Sequence, residues 1–154
     1  MYGYGLKQRM RRMTLARAVA AALLALLAVA CGDGRGGTTV GTVPAVTGID
    51  WTVDSVTVGG TTQRAPAHAH VRIEDDRAAG SFGCNRFSGT AQITGDQFRL
   101  SHVRTTRMAC DNARMTFERA LSRTLTSGPL TMTGEAGKLT LTASGGDRVQ
   151  LSKA

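Results

Sequence analysis

The residues of this chain whose types could do chemistry fall into five small groups. Cys84 and Cys110 are one. Bridged, they would close a loop whose lost chain entropy is worth roughly 3.5 kcal/mol. Unbridged, they are two buried thiols, or a redox or metal-binding pair. No C-x-x-C spacing accompanies them, and no further soft ligand lies near in sequence. His68 and His70 would lie on one side of a strand and could share a metal, with His102 as a third ligand. The plainer reading is a surface pair after Pro66 and no metal. Glu74-Asp75-Asp76 offers adjacent carboxylates, but neighbours in a strand point to opposite faces, so a solvated turn is expected. Ser81, Ser88 and Ser101 lack the G-x-S-x-G setting of a hydrolase nucleophile. Asn85, Arg86 and Arg107 form the fifth group. A Cys84–Cys110 bridge would gather them into a polar recognition patch, and arginine docks a carboxylate or phosphate bidentately. The same Gly83-Cys84-Asn85-Arg86 stretch also suits a sharp corner between strands.

The elements that must hold these residues can be read from the rest of the chain. Residues 7–17 carry five positive charges and no acid, and residues 18–30 are wholly apolar. As a helix that run spans roughly 20 Å, short of the ~30 Å hydrocarbon core, so an export signal is expected over residues 1–30 rather than a membrane span. Ala28-Val29-Ala30-Cys31 resembles a bacterial lipobox, with Ala28 where Leu is usual. Its cysteine would be diacylated and become the new N-terminus, and two acyl chains anchor stably. Ordinary cleavage after Ala30, leaving Cys31 free, is the alternative. The Gly/Thr-rich residues 31–48 read as a flexible tether averaging roughly 23 Å end to end. An exported domain meets an oxidising compartment, which favours the disulfide among the readings of Cys84 and Cys110.

Charge argues against nucleic acid as a partner. The chain is +8 overall, yet without the segment before Cys31 it has 14 basic and 11 acidic residues, a net of +3. No later segment is a dense Lys/Arg patch interleaved with aromatics. From residue 49 to 154 the dominant signal is period-two alternation. Ile49, Trp51 and Val53 share a face, as do Val71 and Ile73, Phe82 and Cys84, Phe98 and Leu100, and further pairs to Val149 and Leu151. One segment differs: Phe117, Ala120, Leu121, Thr124 and Leu125 make a helical stripe, with Asp111 or Asn112 as cap and Gly128-Pro129 as stop. Glu118 on that helix is expected to pair with Arg114, with a neighbour of Arg119, or with Arg107. The fold class is therefore α+β, mainly β. It comprises a seven- or eight-stranded antiparallel sheet, curled or barrel-like, with one helix over an open face or end.

Gly83-Cys84-Asn85-Arg86-Phe87-Ser88-Gly89, the later Thr106-Arg107-Met108-Ala109-Cys110, then Met115, Glu118 and a final L-T-L strand closely resemble the META domain family, the HslJ-like heat-inducible lipoproteins. The resemblance runs from about Gly48 to Leu151, with Trp51 matching an early tryptophan. It implies a mainly antiparallel β domain with a helix, exported or lipid-anchored, linked to envelope stress and antibiotic tolerance. No catalytic residue and no cofactor is implied. His68-Ala69-His70 departs from the family, whose members more often carry Thr or apolar residues there. The expected protein is a lipid-anchored, non-enzymatic domain on the outer face of a bacterial cell membrane. It would bind or protect an envelope component, a protein or a small molecule. An envelope hydrolase and a structural spacer in an envelope complex are the rival expectations.

Overall fold

A computed structural model describes residues 45–154. The expected signal, the expected lipidation site Cys31 and the expected tether up to residue 44 lie outside the described residues. Nine strands and one helix follow in chain order: β1 (Asp50–Val58), β2 (Thr61–Arg64), β3 (His70–Glu74), β4 (Arg77–Ser81), β5 (Arg86–Thr94), β6 (Gln97–Thr105), α1 (Asn112–Leu125), β7 (Leu130–Glu135), β8 (Lys138–Ala143) and β9 (Arg148–Lys153). Each strand from β3 to β9 pairs antiparallel with the next. β1 closes the ring, taking β3 along Asp50–Thr52 and β9 along Trp51–Thr57. The result is an eight-stranded antiparallel barrel. β2 is a ninth strand, paired only to the second half of β1.

Alternation explains the closure. Val53, Val71, Ile73, Phe98, Leu141 and Leu151 point inward and are almost wholly buried. Thr, Arg, Gln and Ser take the outward positions between them. Eight strands leave an interior that side chains just fill. An apolar inside with a polar outside is the reverse of a membrane-spanning barrel. The helix forms as its caps and stripe dictate. The Asp111 carboxylate accepts from the Arg114 amide at 3.0 Å, and Phe117, Leu121 and Leu125 are buried. α1 packs against β1 and β9. Between β6 and β7 the ladder has only two residue pairs, Gln97 with Thr131 and Phe98 with Leu130.

Three local readings differ from expectation. The fold begins before residue 49. Val46 is buried, its carbonyl accepts the Trp51 indole N–H at 3.0 Å, and the Gly48 amide donates to the Ile73 carbonyl at 2.8 Å. Burial of the Val46 side chain, with its carbonyl satisfying the Trp51 indole N–H, places residues 46–48 in the domain. Phe82 and Cys84 belong to the corner between β4 and β5, not to a strand. There Phe82 stacks on Phe87 with ring centroids 4.1 Å apart. β2 and β4 carried no readable alternation, because β2 is Thr61-Thr62-Gln63-Arg64 and β4 turns only Ala78 and the smaller Gly80 toward the interior.

Candidate functional site

The corner after β4 is built around one amide. Cys84 and Cys110 are disulfide-bonded, with Cα atoms 6.1 Å apart. The bridge pins the loop after β6 against the corner, and Asn85 lies buried beneath it. Its Oδ1 accepts from the Met108 amide at 2.7 Å and from the Thr106 hydroxyl at 2.9 Å. Its Nδ2 donates to Glu118 Oε1 at 2.8 Å and to the Met108 carbonyl at 3.3 Å. The Asn85 backbone amide donates to Glu118 Oε2 at 2.7 Å. Every hydrogen-bonding position of the side chain is used within the fold. Asn85 therefore has no free group for a ligand, which removes it from the expected recognition patch. Glu118 is likewise committed to Asn85, not to Arg114, Arg107 or a neighbour of Arg119. Two donors at the corner outcompete an exposed ion pair, which is worth little in water. Gly83 makes the corner sterically feasible. Its φ is +111°, and a Cβ there would meet Pro66 Cγ at 2.7 Å.

Arg86 and Arg107 remain exposed beside this knot. The chain brings them near each other through Arg86 N–H to Thr106 Oγ1 at 3.1 Å and Thr106 N–H to the Arg86 carbonyl at 3.0 Å. Arg86 also opens a larger cationic face, formed by the outward sides of β4, β5 and β6. In one row Ser81 faces Arg86; in the next, Ala79, Ser88 and Arg104 align. Arg77, Thr90 and Ser101 make a third row, and Gln92 with Arg99 a fourth. Residues 77–107 hold five arginines and one acid, Asp96. None of Arg77, Arg86, Arg99, Arg104 and Arg107 is ion-paired with a described residue. Arg72 on β3 is the contrast. Its guanidinium holds Asp50 and Glu74 at 2.8 and 2.7 Å. The hydrogen bond to Glu74, then the charges of Asp50 and Glu74, push its pKa up.

The face is interrupted by a bulge. Ser88 pairs with Arg104 and Thr90 with Ser101, so Gly89 alone faces both His102 and Val103. The backbone of His102 takes φ +51°, a region where His is more common than most residues. Val103 turns toward the core and His102 outward. Gly89 allows the approach, since a Cβ there would sit 2.8 Å from the Ser101 carbonyl oxygen. Beside the bulge is an outer depression of about 570 Å³, lined by Asp76, Arg77, Ala79, Ser88, Gly89, Thr90, His102 and Arg104 among others. The imidazole Nδ1 lies 3.3 Å from Ser101 Oγ.

The histidines do not converge. His68, with φ +71°, lines a separate depression with Asp54, Arg64 and Lys138, and its carbonyl is 2.9 Å from His70 Nδ1. No group of three or more His, Cys, Asp or Glu among the described residues is placed to hold a metal ion. Asp75, at φ +49°, sits in the β3–β4 turn expected of Glu74-Asp75-Asp76. Ser81 is held at the corner, its hydroxyl accepting from the Gly83 amide at 3.1 Å.

A family model for the META domain matches residues 44–154. The chain belongs to the META domain family. The match starts where Val46 enters the core, so the META domain includes the last residues of the supposed tether. Two solved structures share the fold. One, an NMR structure of a protein from Burkholderia xenovorans, is 20% identical, with a TM-score of 0.61 over 71% of this chain and 83% of that one. A second NMR structure is also 20% identical, with a TM-score of 0.51 over 66% of this chain and 86% of that one. No curated protein matches.

Within the META domain the family motifs around Asn85 hold the corner together. The arginines on the outer face were missed from sequence, except Arg86 and Arg107, because they are spread singly over three strands and a loop. The readable signal was segmental charge: a stretch rich in Arg and almost free of acid, inside a domain close to neutral overall.

Proposed function

We propose that this META domain is a lipid-anchored, non-enzymatic binding module on the outer face of a bacterial cell membrane. Through the arginine face of β4–β6 it holds an anionic envelope component under stress. The observation that carries the reading is the group of exposed arginines on this face, none of them ion-paired with a described residue. Such a surface repels its own kind, so it suits an oppositely charged partner. Anchorage is supported by the basic start, the apolar run and Cys31 of the sequence. The test is intact mass of the membrane-fraction protein, before and after reduction, combined with crosslinking in stressed cells. A diacyl adduct at Cys31 and acidic partners lost on Arg77→Gln/Arg104→Gln are expected. An unmodified chain retaining Met1, or partners indifferent to the arginines, would refute it.

One observation favours the hydrolase reading. Asp76, Ser88 and His102 line the same depression. A nucleophile–base–acid relay needs the base bonded to both others. The side-chain contact of His102 is to its neighbour Ser101, with neither Ser88 nor Asp76 bonded to the ring among the described residues. Ester and peptide hydrolysis abolished by His102→Ala would establish the enzyme.

A further inference from the structure

We infer that the depression beside the β6 bulge is a binding site for a phosphate group. This rests on the binding reading above and names the chemistry of that surface. Arg77 and Arg104 stand on strands two apart and one row apart, so their Cα atoms are roughly 12 Å from each other across the sheet. Two extended guanidinium side chains from that separation can close on one tetrahedral anion between them. The floor is kept low by Ala79, and Ser88 and Thr90 supply hydroxyl donors. His102 adds a ring N–H at the wall, re-aimed by a bulge that costs it a left-handed backbone. Asp76 stands at the rim and forms no ion pair with a described residue, while Glu74, opposite Arg77 on β3, is held by Arg72.

Several donors around one hollow match the three terminal oxygens of a phosphate monoester better than the two of a carboxylate. The same hollow lies next to where the chain enters the domain. Ala45, Val46 and Thr47 line a neighbouring depression with Asp76 and Gln92, and Gln92 pairs with Arg99. The phosphate is a monoester, carried by a phosphatidate headgroup or by a free ester, and the site chemistry is the same for both.

The test uses the full chain, isotope-labelled, in dodecyl maltoside micelles, which contain no phosphate. Inorganic phosphate, phosphatidate mixed into the micelle and a hexaglutamate peptide are titrated separately against the backbone amide spectrum. Phosphate is expected to shift Ser88, Thr90, His102 and Arg104 saturably. Arg77→Gln or Arg104→Gln should weaken it about tenfold, the effect of losing a hydrogen bond to a charged group. Arg99→Gln, further along the face, should change it much less. His102→Gly relieves the left-handed residue, so it should weaken phosphate without lowering the melting temperature. Phosphatidate saturating the same amides at lower concentration than phosphate marks a lipid headgroup site. Equal concentrations mark a free ester. Saturation by hexaglutamate but not by phosphate overturns the phosphate site and leaves the anionic-partner reading standing. Silence toward all three overturns both, and phosphate binding that ignores Arg77, Arg104 and His102 overturns the site.

Discussion

The Asn85 corner and the β4–β6 arginine face are neighbours on the same three strands, yet they use polar groups in opposite ways. At the corner every donor and acceptor of a buried amide is matched inside the protein. On the face, charged groups stand exposed and unmatched. Satisfied polar networks fix a structure, whereas unsatisfied exposed charge is free to recognise something else. The clustered motif of the sequence thus marks the scaffold, and the dispersed arginines mark the surface it presents.

The comparison breaks most sharply at the disulfide. Replacing Cys84 and Cys110 by Ser should cost roughly 3.5 kcal/mol by loop-closure entropy, read from denaturant midpoints. Phosphate-induced shifts in the folded fraction should persist. Asn85→Ala comes next. It strands Glu118 Oε1 and both Met108 backbone groups, at about 2–3 kcal/mol, again with the arginine face intact. If instead Asn85→Ala spared stability and abolished binding, the roles of the two regions would be reversed.

Asp111 sharpens the comparison by pH. Its carboxyl is held below the usual value, first by the backbone hydrogen bond from Arg114 and then by the Arg114 side chain. Because the folded form titrates lower than the unfolded, the capping contribution is complete above about pH 4 and fades as pH falls through the lower folded value. Asp111→Asn keeps the cap and removes that charge, so its acid-unfolding curve should lose this component. The smallest stability effect belongs to Arg77→Gln with Arg104→Gln, within about 0.5 kcal/mol of the parent. A larger loss would mean that these arginines hold the fold, as the corner does.

Much of the fold was legible because alternation and helical stripe are imposed by burial. Trp51-Val53, Val71-Ile73 and Phe117-Leu121-Leu125 each announced their element. β2 and β4 were silent, since a strand whose inward residues are Ala and Gly, or that hangs outside the ring, needs no apolar alternation. Arg86 and Arg107 were legible by type. Asn85 was misplaced in the patch because a residue's partners, not its polarity, decide whether it faces solvent. Arg77, Arg99 and Arg104 become one surface only through the strand register.

The pairing of β9 with β1 has a consequence for how the molecule is made. Val149 and Leu151 must reach Val56 and Val53 before the ring exists. Until the residues of β9 have left the ribosome, the ring cannot close and the core stays incomplete. A channel that accepts only unfolded substrates therefore has until β9 is in place to take the chain up, because that last pairing is what closes the domain.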